Sequence, residues 1–154
     1  MEKMVYEYCI VRYVPDIERE EFINIGLMMM CKRMRWMRCE IVINEPRINA
    51  LLYRSNCSYD SAQSANESIV TSSPLIAAAI NRLRIQSALF TRTDVPAAGL
   101  PVEERYRWLA AVKSAILQTS PSHPGILLTN SSSRSEAVSL LDSKFTELLR
   151  RLIL

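Results

Sequence analysis

The chain opens with a period of two. Tyr6 to Val14 (YEYCIVRYV) is rich in aromatic and β-branched residues, which suit a pleated, half-buried surface and mark a strand. Pro15-Asp16 ends it, because proline cannot donate to a ladder and aspartate favours a turn. Phe22 to Cys31 (FINIGLMMMC) reads as a second strand, with Ile23, Ile25, Leu27, Met29 and Cys31 on one apolar face. So apolar a strand belongs in the middle of a sheet. After the polar turn Lys32-Arg33-Met34-Arg35, a third strand runs from Trp36 to Asn44. Met37, Cys39, Ile41 and Ile43 face one way; Trp36, Arg38, Glu40 and Val42 face the other. The second and third strands form a hairpin, and the first completes an antiparallel meander.

Beyond residue 45 the period lengthens. Pro46 to Tyr53 has room for a short helix, and residues 55–73, rich in Ser, Asn and Ala, read as a loop or a weakly amphipathic helix. Ser73-Pro74 supplies an N-cap and first position for a helix to about Phe90, striped by Ile76, Ile80 and Leu83. Thr91 to Gly99 is a linker. A further helix starts at Pro101, with acids in its first turn and Val102, Tyr106 and Leu109 inward. Ala115 to Gln118 extends it or forms a short strand, and Thr119 to Gly125 (TSPSHPG) reads as a loop because two prolines flank Ser122-His123. Ser133-Arg134-Ser135-Glu136 is a capping box that launches a helix to the C-terminus, with Ala137, Leu141, Phe145, Leu148 and Leu152 inward. Glu147 and Arg151 pair one turn apart on it. The pattern therefore predicts one α+β domain over residues 1–154: an antiparallel three- to four-stranded sheet packed against helices, the last of them long.

Composition adds limits rather than an activity. The chain has 154 residues, 49% hydrophobic and 23% charged, enough for a core of its own and too apolar for wholesale disorder. A net charge of +3 neither demands nor opposes an anionic partner. No stretch reaches the roughly 20 apolar residues of a membrane span, and the strand-like N-terminus is unlike a secretory signal. Cys9, Cys31, Cys39 and Cys57 lack metal-ligand spacing, and three sit among aliphatic neighbours in strands. They read as reduced, buried thiols of a cytoplasmic protein that holds no metal and no cofactor.

Four groups of residues carry chemistry. His123 is the only histidine and the one side chain whose ordinary pKa lies near neutral. Beside Ser120 or Ser122 it reads as a general base or an anion donor; the plainer reading is a hydrogen bond to backbone. Arg12, Asp16, Arg19, Glu21 and Asn24 crowd one end of the sheet, as a binding cluster or as a clamp on a connection. Glu104, Arg105, Trp108 and Lys113 offer cations and a ring to an anion or a planar group, or else a core Trp beside solvated charges. Lys32, Arg33, Arg35, Trp36 and Arg38 at the hairpin tip suit phosphates and a stacked base, or are charged simply because a hairpin tip is wet. Gly26 fits a place where another backbone or ring comes close. No glycine loop for phosphates is present among the three glycines.

Two blocks resemble a known family. Residues 6–31, with the strand ending in Arg12-Tyr13-Val14-Pro15-Asp16, then Arg19 and Glu21-Phe22-Ile23-Asn24-Ile25-Gly26, are similar to the opening motif of bacterial domain-of-unknown-function family 3037. Residues 104–125, with Glu104-Arg105-Tyr106-Arg107-Trp108-Leu109 and Gln118-Thr119-Ser120-Pro121-Ser122-His123-Pro124-Gly125, are similar to its second. Arg19-Glu20-Glu21 stands where the family usually has Arg-Gly-Glu, and Ala111-Val112-Lys113 where it tends to have Ala-Pro-Arg. Residues 50–100 show little similarity. The resemblance implies a fold and a residue list, Arg12, Glu21, Asn24, Arg105, Lys113, Gln118, Ser120 and His123, rather than a mechanism. The family's genes commonly neighbour a HipA-like serine kinase, which implies a partner or regulator role. These readings lead to a binding module for a protein partner. The alternatives are a small enzyme or ligand-binding protein for an anionic, phosphate-type substrate, and a nucleic-acid binder using Lys32, Arg33, Arg35 and Trp36.

Overall fold

The computed structural model describes residues 1–56, 74–111, 114–130 and 133–154. The expected loop or weak helix over 55–73 lies almost wholly outside these residues, as do Cys57, Ser73 and Lys113.

Strands β1 (Glu2–Asp16), β2 (Glu21–Cys31) and β3 (Trp36–Ile41) form the expected antiparallel meander. Helices α1 (Glu45–Asn56), α2 (Pro74–Ser87) and α3 (Val102–Ala110) follow, with short 3-10 turns at Ala88–Phe90 and Pro96–Gly99. Strands β4 (Leu117–Thr119) and β5 (His123–Thr129) then return to the sheet, and α4 (Arg134–Leu152) closes the chain. The order is β3-β2-β1, and the far edge of β1 is shared by two strands: β5 pairs with residues 2–8 and β4 with residues 11–13. Four strand positions are thus filled by five strands.

His123-Pro124-Gly125 was expected in a loop and instead begins β5. An edge strand tolerates Pro124, since only one side of it needs ladder donors. The break between β4 and β5 is confined to Ser120-Pro121-Ser122.

Alternation sorts the side chains onto two faces, each with its own core. Cys9, Val11, Tyr13, Ile25, Met28, Met30 and Leu117 pack under α1, α2 and α3. Met4, Tyr6, Leu27, Met29 and Cys31 pack under α4, against Ala137, Leu141, Phe145, Leu148 and Leu149. β2 is apolar on both sides because both sides are covered. The face expected to carry Ile23, Ile25, Leu27, Met29 and Cys31 together is divided. Val11 pairs with Gly26 but Arg12 pairs with Asn24, so Ile25 is an unmatched bulge residue and the parity of β2 changes there. Ile23 and Ile25 accordingly join the α3 side, Leu27 onward the α4 side. A Cβ at Gly26 would stand 2.8 Å from the Glu40 carbonyl oxygen, the close approach that glycine permits.

Helix α4 begins where the sequence places it, at N-cap Ser133, but the expected capping box is not closed. Ser133 makes no side-chain cap bond; its hydroxyl meets Ser135 Oγ at 2.8 Å. Glu147 does pair with Arg151, at 4.0 Å, and also with Lys144 at 2.9 Å. The far end of the helix is tied to the sheet and to α1: Asn24 Nδ2 on β2 donates to the Leu152 carbonyl at 3.3 Å, and Arg47 Nη1 on α1 donates to the Ile153 carbonyl at 2.9 Å. Among the described residues no helix is long and apolar enough to cross a membrane.

Candidate functional site

α4 lies over β2 and leaves part of its own side of the sheet open. That open part is built by cross-strand pairs. Arg12 lies opposite Asn24 on β2 and Gln118 on β4, while Tyr8 lies opposite His123 on β5. Paired residues point to the same face. Tyr8, Ile10, Arg12, Asn24 and Gln118 are partly exposed, and His123 is exposed. Phe22, two positions before Asn24 and so on the same side, is 47% exposed, and the Arg12 guanidinium stacks on its ring at 4.4 Å. The Tyr8 and His123 rings meet with centroids 5.2 Å apart. Tyr6 lies over Gly125, where a Cβ would collide with its ring. From Tyr8 to Arg12 the row is about 13 Å long, at about 3.3 Å per strand residue.

Hydrogen bonding here is incomplete. Arg12 Nε and Asn24 Oδ1 are buried without a partner. Asn24 Nδ2 and Gln118 Nε2 are each used once, the latter on the Ala115 carbonyl at 2.9 Å.

The other expected residues lie elsewhere. Alternation along β2 turns Glu21, with Ile23, to the α3 side, where Glu21 Oε1 accepts from Arg19 at 3.2 Å and Oε2 is buried and unpartnered. Arg105 is on α3, its guanidinium donating to the Arg92 carbonyl at 3.4 Å. The sheet therefore separates Glu21 and Arg105 from Arg12, Asn24, Gln118 and His123. Ser120 is 5% exposed, and its hydroxyl accepts the Ile10 amide N–H at 2.8 Å while donating to the Pro121 carbonyl at 3.0 Å. Ser122 faces the α3 side, bonded to Tyr106 at 2.8 Å and donating to Glu7 Oε2 at 3.1 Å. His123 thus meets a tyrosine ring and neither serine hydroxyl.

At the hairpin tip, Trp36 packs edge-on to Phe145 within the α4-side core, so its ring is not open to a base. Lys32 pairs with Glu103 at 3.3 Å and Arg33 with Glu2 at 2.5 Å. Arg35 stays exposed, in a left-handed turn at φ 48°, beside a hollow of about 310 Å³ that Arg134 also lines.

Sequence reading missed the buried row beneath α3. Cys9 hydrogen-bonds to Tyr106, which continues to Ser122 and Glu7. Burial pushes the Cys9 thiol up to about 11, the Tyr106 bond pulling the other way. Burial, reinforced by Cys9, pushes Cys39 up to about 12. Burial likewise raises Tyr106. Thiols held protonated in this way are poor nucleophiles and poor metal ligands. Cys31 lies in the core on the other side of the sheet.

Nearly all of the first motif and all of the second fall within one matched region. The family model described as "Protein of unknown function (DUF3037)" matches residues 8–141. The chain belongs to DUF3037. That match takes in β1 from Tyr8, all of β2 to β5 and the first part of α4, and so every residue of the open row. In this DUF3037 chain the first motif supplies Arg12, Phe22 and Asn24, the second Gln118, His123 and Gly125. Comparison with curated proteins and with solved structures found no match.

Proposed function

We propose that this DUF3037 protein is a binding module for a protein partner, and that its recognition surface is the open row beside α4. The observation that carries this reading is the juxtaposition of Arg12 with Asn24 and with Gln118, which lies 106 positions further along the chain than Arg12, together with the exposed Phe22 and His123. A fold needs apolar side chains here; it does not need a guanidinium stacked on an exposed ring. Arginine and aromatic side chains on an open, partly desolvated surface are the usual anchors of protein interfaces. The rival reading, a serine activated by His123, loses support because both nearby hydroxyls are spent on structural bonds.

The test compares capture of partners from source-cell lysate by immobilised wild-type protein, Phe22→Ala, His123→Ala, and the control Ile126→Ala on the opposite side. Phe22 and His123 are exposed, so their replacement should leave the melting temperature nearly unchanged. Loss of one captured species in the first two variants and its retention in the control is the expected result. Identical capture by all four proteins would refute the surface. A HipA-like serine kinase, the neighbour implied by the family resemblance, is the first purified candidate for the same comparison.

A further inference from the structure

We infer that Arg12 is the anchor of this surface and that what it takes is a carboxylate, an acidic side chain on the partner protein. The inference rests on the recognition surface proposed above and names its chemistry.

Three observations converge on Arg12. Among the described residues its side chain has neither a hydrogen bond nor an ion pair; its recorded contact is the Phe22 ring. Glu21, the nearest acid along β2, is engaged by Arg19 and turned to the other face. Second, Arg12 Nε is sealed from solvent with no acceptor, so this cation is less well hydrated than a surface arginine. An oxyanion arriving at its outer nitrogens gains more from such a group, because less water has to be displaced and the surroundings screen less. Third, the ring stack fixes the plane of the guanidinium, leaving less rotamer freedom to be lost on binding.

The neighbours narrow the ligand. Tyr8, Ile10, Phe22, Asn24, Gln118 and His123, which share the face with Arg12, include no carboxylate that would repel an anion. Asn24 and Gln118 each keep a second amide N–H beyond the one already used. One permanent cation flanked by two neutral amides matches a single negative charge on a planar, two-oxygen group. A phosphate dianion calls for a second permanent cation, which this row does not supply.

The probe is a hexaglutamate peptide, titrated into the full-length ¹⁵N-labelled protein, with inorganic phosphate and sodium chloride as parallel arms. The expected result is a saturable shift of the Arg12 Nε–H signal and of the Asn24 and Gln118 side-chain amides with the peptide, weaker with phosphate and absent with chloride at equal ionic strength. Arg12→Ala should abolish the amide shifts. Arg12→Lys, which keeps the charge without the planar fork, should weaken the peptide by roughly tenfold. Equal responses to peptide and chloride, or unchanged peptide affinity in Arg12→Lys, would overturn the assignment; so would phosphate binding as tightly as the peptide. If His123→Ala abolishes partner capture while Arg12 ignores the peptide, the surface stands and its carboxylate anchor falls. If Arg12 binds the peptide but no variant alters capture, the anchor stands and the protein-recognition reading falls.

Discussion

Ser120 and Ile10 exchange two hydrogen bonds at 2.8 Å: the Ser120 amide donates to the Ile10 carbonyl, and the Ile10 amide donates to the Ser120 hydroxyl rather than to a backbone oxygen. The side chain stands in for a carbonyl at the point where β4 gives way to β5. Without it the Ile10 N–H would be left unmet inside the sheet. Ser120→Ala should therefore cost about 1–3 kcal/mol, read as a lower urea midpoint with unchanged m-value. An unchanged midpoint would show that water replaces the hydroxyl.

Glu20 sits at φ 54°, a left-handed conformation that costs a side-chain-bearing residue roughly 1–2 kcal/mol. It is the position at which the family resemblance implies glycine. Glu20→Gly should accordingly stabilise the protein, by about 1 kcal/mol after the added freedom of the unfolded glycine is subtracted, whereas Glu20→Ala should bring no gain. Thermal melts of the two variants side by side decide it.

Leu141 and Phe145 are fully buried between α4 and the sheet, and Phe145 also meets Trp36 and lies under the Arg38 guanidinium at 4.5 Å. Truncation to alanine leaves a cavity that rigid strands cannot fill. Each substitution should cost about 2–5 kcal/mol, measured by chemical denaturation. A melt that barely moves would mark α4 as peripheral.

Alkaline pH should destabilise the fold. Cys9 and Cys39 lose their protons near the ordinary 9.0 when unfolded but only at about 11 and about 12 when folded, burial being the main cause. Between those limits the native state holds more protons than the unfolded chain, so the stabilisation is complete below pH 9 and declines as pH rises towards 12. Tyr106, shifted in the same direction, adds to the slope. Urea midpoints at pH 8 and 10.5 should show the loss, and Cys9→Ala with Cys39→Ala should shrink it. Equal slopes in the two proteins would assign the effect to other groups.

The sequence made some of this architecture easy to read and hid the rest for identifiable reasons. Helix α4 was legible because one of its faces is buried and the other is wet, and strand β3 because apolar Met37, Cys39 and Ile41 alternate with Arg38 and Glu40, so both periods survive in the residue pattern. β5 was not, since Pro124 signals a loop unless the strand is known to lie at an edge. Within the candidate site, Arg12, Asn24, Gln118 and His123 were picked out, but Glu21 and Arg105 were grouped with them. No local pattern states that the bulge at Ile25 brings Asn24 onto the face of Arg12, or that α3 docks on the reverse side. Those facts rest on a register shift and on packing between segments far apart in the chain, as does the meeting of Arg12 with Gln118 across β1 and β4.

Such distant pairing also sets the order in which the molecule can assemble. β1 to β3 can zip up from tight turns soon after they are synthesised, yet the second edge of β1 has no partner until residues 117–129 have been made. Closing so long a loop is slow, and a bare strand edge is sticky while it waits. During synthesis the chain therefore passes through a stage in which its own future sheet core is exposed to other strands. Fragments ending before β4 should collect in aggregates, while the full-length protein, with that edge filled from its own C-terminal third, should not.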